Sequence, residues 1–318
     1  MAENEKGTRH LRGPMLSRRS VLLASLAPMM SAARAVAASA GKPGRMTLAL
    51  HQNTSNGAGY RNSLEGWARA GIRNVEVTAT LLDEFLKTDT LAAARRVISD
   101  LGLTPVSCAS GVVGLWEPNP NHAAALEDLK RRAGMFATLG CVNIYSPSVA
   151  TARFTADDYK TGAENMRRVG EVAKQFSMTA MAEFARSSTF LSTLTSTLQL
   201  TRAAAHPNVK VLFDCYHFWS GLNKFEDLDL LRPGEIGHVH FQDVPDMPRE
   251  LLDNTTRVIP GDGVTPLTRI LRKLSEKGYA GPLSVELFLP KFQQADPYEL
   301  AQEIRRKAEA VMRRARVL

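Results

Sequence analysis

Near the middle of the chain lies a segment, residues 209–217, that reads VKVLFDCYH. Its first five residues are mostly β-branched or large and apolar, which is typical of a buried strand. The apolar run ends at Asp214, and an imidazole, His217, follows three residues later. Functional side chains at the carboxyl end of a buried strand are typical of a parallel α/β barrel, because the strand ends meet at one mouth. We therefore interpret this segment as a barrel strand that delivers a functional residue.

Three further apolar runs also carry a metal-ligating residue type near their carboxyl ends. These are residues 178–184 with Glu183, residues 236–241 with His240 and residues 283–287 with Glu286. Strand side chains alternate between faces. If the end residues point into a barrel, the residues that point inward below them are Met181, Leu212, His238 and Ser284. Parallel strands that close into a barrel would then bring the four end residues together at its mouth.

The four converging residues predict a metal site. A lone carboxylate at a strand end is commonly a helix cap, and a lone histidine in a strand is commonly a core residue. Recurrence at the same end of four strands is not required for capping and favours a shared ligand. Glu183, Asp214, Glu286 and His240 form a mainly oxygen donor set, which suits Mn²⁺ or Mg²⁺ better than a structural zinc site would. We predict a divalent ion, with Mn²⁺ first and Mg²⁺ or Co²⁺ as alternatives.

Strand and helix patterns alternate along the chain after residue 45. Strands are predicted at residues 46–51, 75–77, 104–109, 142–145 and 178–184, at the segment that begins at residue 209, and at residues 236–241 and 283–287. Helices are predicted at residues 60–70, 91–101, 122–139, 156–176, 190–205, 225–231, 266–277 and 297–316. Such alternation argues for a parallel sheet. A single (β/α)8 TIM barrel over residues 46–316 fits the length of the chain.

The first 40 residues predict a twin-arginine signal peptide and leader. Residues 17–23 read SRRSVLL, an apolar run covers residues 21–30, and small-residue cleavage candidates lie at residues 33–35 and 38–40. This is the pattern of an export signal, and the apolar run is too short to span a membrane. We therefore expect recognition by the twin-arginine export machinery and a periplasmic or secreted mature protein.

The net charge of the chain bears on its partners, and its cysteine usage bears on disulfide formation. The net charge of +8 falls to +4 outside residues 1–40, because the leader holds six Lys or Arg and two Asp or Glu and leaves 34 basic against 30 acidic residues. This modest surplus argues against a nucleic-acid partner. Cys108, Cys141 and Cys215 are odd in number and have no CxxC spacing. Because twin-arginine substrates fold before export, we expect free and mostly buried thiols.

Two predicted loops are longer than a simple connection requires. Residues 111–121 contain Trp116, and residues 243–263 contain Arg249 and Arg257. Both follow strands, so both are expected at the barrel mouth, where long loops are often lids. Trp116 and, at the end of the first strand, His51 are candidates for contact with a substrate.

Several motifs together resemble the sugar phosphate isomerase/epimerase family, which has the xylose isomerase-like TIM barrel. They are Glu183, FDCYH at residues 213–217, HVHFQD at residues 238–243, Arg257, PGDG at residues 260–263 and VEL at residues 285–287. The family also includes ketose 3-epimerases, inosose dehydratases and dehydroshikimate dehydratases, and the resemblance covers about residues 46–316. It is specific for the superfamily and says almost nothing about the substrate.

The resemblance implies roles for individual residues. It implies metal ligation by Glu183, Asp214, His240 and Glu286, proton exchange by the two glutamates, and substrate-oxygen contacts by His217 and Arg257. The chain has no Gly-rich phosphate cradle, and a periplasm is a poor place for sugar phosphates, so a non-phosphorylated substrate is expected.

The predicted function is a divalent-metal-dependent keto-sugar epimerase or isomerase that works through an enediolate. An alternative is a lyase of the same barrel type that expels water or an aglycone from a keto-inositol or 3-keto glycoside, with His217 or His51 as the acid. An abasic-site endonuclease is disfavoured by the seven histidines and the modest charge, and a sugar-binding protein would have little use for four converging ligands. The sequence leaves the oligomeric state open, a homo-oligomer included.

Overall fold

Eight parallel strands close into a barrel in chain order, and the last pairs back to the first. The computed structural model describes residues 45–318, so the predicted leader and its cleavage sites lie outside the described residues. The strands are β1 Thr47–His51, β2 Asn74–Thr78, β3 Thr104–Ala109, β4 Asn143–Pro147, β5 Thr179–Glu183, β6 Val209–Asp214, β7 Ile236–His240 and β8 Pro282–Val285. The predicted (β/α)8 TIM barrel is confirmed.

Helices surround the barrel and follow the strands. Within residues 45–318 they are α1 Gly59–Arg69, α2 Ala79–Phe85, α3 Leu91–Asp100, α4 His122–Leu139, α5 Asp158–Gln175, α6 Leu194–Ala204, α7 Cys215–Ser220, α8 Leu267–Glu276, α9 Pro290–Gln293 and α10 Pro297–Ala315. Short 3-10 segments cover Gln52–Ala58, Phe225–Leu230, Arg249–Leu251 and Asn254–Thr256. None of the helices in this part of the chain has the length and apolar character needed to cross a bilayer.

Side-chain caps set where several helices begin. Thr78, Thr90 and Thr193 accept hydrogen bonds from backbone N–H groups of the first turns of α2, α3 and α6. These caps satisfy donors that have no partner within the helix. Asp296 caps α10, whose first residue is Pro297. Proline is favoured at this position because the N–H that it lacks would have no partner within the helix. The sequence therefore specifies these helix starts locally.

The outer faces of the strands pack against the helices in one large apolar core. Val211 and Phe213 of β6 belong to it, together with Ile270, Leu271 and Leu274 of α8. All five side chains are almost completely buried. Burial of an amphipathic helix face on a strand layer is the main stabilising contribution in such a barrel.

The inward faces of the strands hold a separate cluster. Tyr145, Met181 and Leu212 pack together inside the barrel. Met181 and Leu212 are the residues expected below Glu183 and Asp214, so the strand parity inferred from the sequence is correct. This parity aims the strand-end carboxylates at the barrel axis.

The structure departs from the predicted elements in several places. The segment 225–231, predicted as a helix, is a 3-10 segment. Three helices, α2, α7 and α9, were not predicted; α7 has only six residues, several of them aromatic with poor helix propensity. Strand β8 ends at Val285, so Glu286 is the first residue after the strand. The three cysteines are free and buried, as predicted.

Candidate metal centre

Four buried side chains meet at the carboxyl ends of neighbouring strands. Glu183 ends β5, Asp214 ends β6, His240 ends β7 and Glu286 follows β8. Each offers one ligand atom, and these four atoms lie within 4.8 Å of one another. All four residues are at most 4% exposed. The four strand-end residues singled out in the sequence thus form one cluster, called the ligand cluster below.

One imidazole nitrogen lies at the middle of the ligand cluster. Nδ1 of His240 is 3.0 Å from Oε1 of Glu183, 3.4 Å from Oε2 of Glu286 and 3.5 Å from Oδ2 of Asp214. A ring nitrogen can serve at most one of three carboxylates as a hydrogen-bond donor. Three carboxylates and one nitrogen directed at a single point are a donor set that fits a divalent cation.

Arg257 partly neutralises the cluster from the long loop after β7. Its Nη1 donates to Oε2 of Glu286 at 2.6 Å and to Oδ2 of Asp214 at 3.1 Å. Its guanidinium also lies over the rings of Tyr216 and Phe288. Burial alone would lower the pKa of Arg257, but the surrounding carboxylates raise it above its ordinary value. Arg257 is therefore a buried, permanently charged partner of the cluster.

The carboxylates have different surroundings. Burial raises the pKa of Glu183 to about 7, and among residues 45–318 its carboxylate hydrogen-bonds only with His240. Burial also opposes ionisation of Asp214 and Glu286, but Arg257 and nearby imidazoles outweigh it and lower both pKa values. Asp214 also accepts hydrogen bonds from the backbone N–H of His217 at 2.6 Å and from the side chain of Gln242 at 2.7 Å. Glu183 is the least constrained carboxylate of the three.

His217 lies beside Arg257 on the first turn of α7. Its Nε2 is 3.2 Å from Nη2 of Arg257, and its Nδ1 is 3.3 Å from the backbone N–H of Arg186. Burial, reinforced by Arg257, lowers the pKa of His217 to about 4, although Asp214 opposes the shift. The imidazole is therefore neutral at pH 7. The structure brings the two predicted substrate-binding residues His217 and Arg257 together, next to the ligand cluster.

His51 lies on the other side of Glu286. Its Nδ1 accepts the backbone N–H of Asn53 at 3.1 Å, which leaves the ring proton on Nε2. Nε2 is 2.9 Å from the hydroxyl of Tyr145 and 3.5 Å from Oε1 of Glu286. The pKa of His51 is lowered by burial. His51 is thus placed as a neutral N–H donor at the edge of the cluster.

The fold does not bring Trp116 to the ligand cluster. It is 1% exposed and belongs to the large apolar core. Its indole N–H donates to the carbonyl of Ser146 at 3.1 Å. These contacts anchor the loop after β3, and a contact between Trp116 and a substrate stays a prediction.

The loop of residues 243–263 is held by Asp243. One carboxylate oxygen accepts the N–H groups of Gly261 and Gly263, both at 3.1 Å, and the other accepts that of Thr265 at 2.8 Å. A Cβ at position 263 would lie 2.0 Å from the carbonyl oxygen of Val244, so only glycine fits there. The PGDG motif thereby fixes the loop that carries Arg257.

Several residues at the site were not assigned a role from the sequence. Asn53 donates to Oε1 of Glu286 at 3.1 Å, and Tyr145 packs on the ring of His240. Glu76 lies completely buried on β2, 3.3 Å from Nε2 of His240. Strand parity within the apolar run around residues 75–77 could have identified Glu76, because a charged residue between two valines must face inward. Asn53 lies outside the strands and carries no such signal.

Comparisons with known proteins agree on the fold. Residues 64–312 match the family described as xylose isomerase-like TIM barrel. The inosose isomerase of Halalkalibacterium halodurans is 27% identical over 80% of this chain and 92% of its own length. A 3-dehydroshikimate dehydratase of Pseudomonas putida is 25% identical over 73% of this chain and 36% of its own length.

Solved structures give the same result. A structure of the IOLI protein with a bound zinc atom superposes with a TM-score of 0.78 at 21% identity, covering 84% of this chain and 98% of that one. A structure of D-psicose 3-epimerase in the presence of D-fructose has a TM-score of 0.68 at 19% identity, covering 84% and 99%. At these identities the likeness to the solved structures is one of fold.

Proposed function

Because the chain belongs to the xylose isomerase-like TIM barrel family, we propose that it is a divalent-metal-dependent epimerase or isomerase of a non-phosphorylated keto sugar or sugar derivative. The observation that carries the proposal is the ligand cluster, in which Glu183, Asp214, His240 and Glu286 direct one atom each at a common point. The relatives that bear the names inosose isomerase and D-psicose 3-epimerase support the substrate class.

The donor set supports a divalent ion as cofactor. Three carboxylates surround a single imidazole nitrogen, and Arg257 pairs with only two of them. We propose Mn²⁺ as the ion, with Mg²⁺ or Co²⁺ as alternatives, because oxygen ligands predominate; the zinc of the IOLI structure supports a divalent ion in general. When bound, such an ion would polarise the substrate carbonyl and stabilise the negative charge of an enediolate.

The two glutamates are proposed as the proton-transfer pair. Glu183 ends β5, and Glu286 follows β8. Strands β6 and β7 lie between them around the barrel. They therefore approach a bound sugar from different directions. One carboxylate takes the proton from the carbon next to the carbonyl, and the other returns a proton to the opposite face, which inverts that carbon.

His217, Arg257 and His51 are proposed to contact the substrate. His217 is neutral and adjoins Arg257, so its ring can hydrogen-bond a sugar hydroxyl. Arg257 holds Glu286 and Asp214 in place while its Nη2 lies next to His217. His51 can donate its Nε2–H on the side of Glu286.

A second candidate is elimination by the same site. The relative that bears the name 3-dehydroshikimate dehydratase supports it, and so does the hydroxyl of Tyr145, which lies 2.9 Å from Nε2 of His51. A donor pair next to Glu286 could protonate a leaving oxygen once the neighbouring C–H proton has been removed. The lyase would share the enediolate with the epimerase and differ in its second step.

The location of the protein and its partners remain proposals from the sequence. The SRRSVLL segment supports recognition by the twin-arginine machinery and a periplasmic or secreted enzyme. Export would deliver the enzyme to free sugars and not to sugar phosphates. A homo-oligomer stays open, and no nucleic-acid partner is proposed.

The test is incubation of Mn²⁺-loaded protein with a panel of ketoses, keto-inositols and 3-keto glycosides in D₂O, followed by NMR. Epimerisation predicts deuterium at one carbon with the covalent skeleton retained. Elimination predicts release of water or an aglycone. A metal-loaded protein that neither exchanges nor converts any member of the panel would contradict both.

A further inference from the structure

Below the ligand cluster, the barrel interior holds a second polar group. Glu76 of β2 is completely buried, and its Oε2 lies 3.0 Å from Nε2 of His238 and 3.3 Å from Nε2 of His240. His238 is likewise completely buried. Interiors of TIM barrels are usually filled by branched aliphatic side chains. A carboxylate between two imidazoles at this depth therefore needs an explanation other than packing.

The two nitrogens of His240 face different groups. Nδ1 faces the carboxylates of the ligand cluster, whereas Nε2 faces Glu76. A neutral imidazole carries its proton on only one nitrogen. If Nδ1 offers its lone pair to a cation, the proton must lie on Nε2, and the carboxylate of Glu76 is the acceptor next to it. Among residues 45–318, Nε2 has no aligned hydrogen bond, although Oε2 of Glu76 lies 3.3 Å away.

Burial of Glu76 is also energetically unfavourable. Its Oε1 and Nδ1 of His238 have no hydrogen-bond partner in residues 45–318. Buried polar atoms of this kind destabilise a fold unless something compensates them. His238 holds Glu76 by one oxygen, and that same oxygen is the one that faces His240. The arrangement orients the carboxylate toward the ring of His240 at a cost in stability.

We propose that Glu76 is a positioning residue for the metal centre. It accepts the Nε2–H of His240, fixes the tautomer that leaves Nδ1 unprotonated, and holds the ring toward the ligand cluster. Carboxylates that act through a histidine in this way raise the affinity of metal sites. The inference rests on the proposed function, because it requires that the cluster binds a divalent ion.

The competing reading is a second ion at Glu76. His51, Glu76 and His240 also offer three ligand atoms within 4.8 Å of one another. Such an ion would need the lone pair of His240 Nε2 while Nδ1 served the first ion, so the ring would have to lose both protons. The single-ion arrangement needs only a neutral imidazole.

The test is calorimetric titration of Mn²⁺ into chelator-treated full-length protein, with Glu76→Gln compared with the unaltered chain. The amide keeps the size of the side chain but removes its charge. We expect one ion per chain and a 10- to 100-fold weaker affinity in Glu76→Gln. The matched control is Ser107→Ala, since Ser107 is the buried register partner of Glu76 on β3 and its hydroxyl has no hydrogen-bond partner among residues 45–318; the Mn²⁺ affinity of this variant should stay within about twofold.

A second measurement uses the unaltered protein, so it decides the matter even if Glu76→Gln fails to fold. NMR of ¹⁵N-histidine-labelled, Zn²⁺-loaded protein should show His240 protonated at Nε2 and metal-bound at Nδ1. Metal binding through Nε2, two ions per chain, or an unchanged affinity in folded Glu76→Gln would each overturn the role of Glu76. Failure of the unaltered protein to bind any divalent ion would overturn the metal centre as well.

Discussion

Nη1 of Arg257 lies 2.6 Å from Oε2 of Glu286, although the two residues come from different loops of the barrel mouth. The same nitrogen is 3.1 Å from Oδ2 of Asp214. A guanidinium so placed holds two candidate ligands as carboxylates and fixes their direction. The loop after β7 therefore contributes a charged residue to the candidate metal centre.

Glu286→Gln separates proton transfer from metal binding. The amide keeps one oxygen ligand but cannot accept a proton, so Mn²⁺ should bind more weakly while turnover falls by about 10²–10⁴-fold. Turnover and deuterium exchange from D₂O are the measurements, with the exposed Glu250→Gln of the same mouth as control. Full turnover in Glu286→Gln would leave Glu286 as a ligand at most and end the two-glutamate mechanism.

His217→Ala should act on the substrate and leave the metal in place. The ring lies beside Arg257 and outside the ligand cluster, so Mn²⁺ content should stay nearly unchanged. We expect a higher KM and a lower turnover, while deuterium still exchanges into the substrate. Loss of exchange with intact metal content would assign His217 to the proton transfer itself.

Arg257→Met should destabilise the metal-free protein. Removal of one partner from a buried ion pair costs about 3–5 kcal/mol, and in a chain of this size each kcal/mol lowers Tm by about 2–4 °C. Added Mn²⁺ should recover more of Tm in this variant than in the unaltered protein, because the ion would neutralise the same carboxylates. Arg249→Met, in the same loop but exposed over Trp219, is the control and should change Tm little. Equal metal-free Tm values for Arg257→Met and the unaltered protein would contradict the ion pairing.

Gly263→Ala should displace the loop that carries Arg257. The added Cβ would meet the carbonyl oxygen of Val244, so the loop must move, and a shift near 1 Å at a catalytic site can cost on the order of 10²-fold in rate. Far-ultraviolet circular dichroism should be unchanged. Val264→Ala, the half-exposed neighbour, should retain its rate. Normal activity in Gly263→Ala would mean that the hydrogen bonds between Asp243 and the loop backbone do not position the site.

Replacement of Arg18 and Arg19 by Lys should keep active enzyme in the cytoplasm. Both residues belong to the predicted twin-arginine signal, and the export machinery recognises such a signal directly. Fractionation of cells followed by an activity assay measures the effect. An unchanged exported fraction would show that the leader has been misread.

Strand parity explains why much of the site could be predicted. Glu183, Asp214 and His240 each end a strand in an apolar run, and alternation then dictates that they face the axis. Barrel closure, which follows from eight strand and helix units, brings them to one mouth. Glu286 was found by the same reasoning although it lies one residue past β8.

Contacts that depend on loop conformation could not be predicted. The approach of Arg257 to Glu286 depends on how Asp243 folds the loop of residues 243–263, which no periodicity encodes. Helix α7 begins because Asp214 caps it, whereas its own residues favour helix weakly. The burial of Trp116 likewise reflects packing of its loop on Ser146.

The central claim is that Glu183, Asp214, His240 and Glu286 hold one divalent ion. The most direct measurement is anomalous diffraction from crystals grown with Mn²⁺. We predict a single strong peak at the barrel mouth, about 2.0–2.3 Å from one atom of each side chain, with Nδ1 as the ligand atom of His240. A well-ordered site without a peak, or with a peak not shared by these four side chains, would contradict the account.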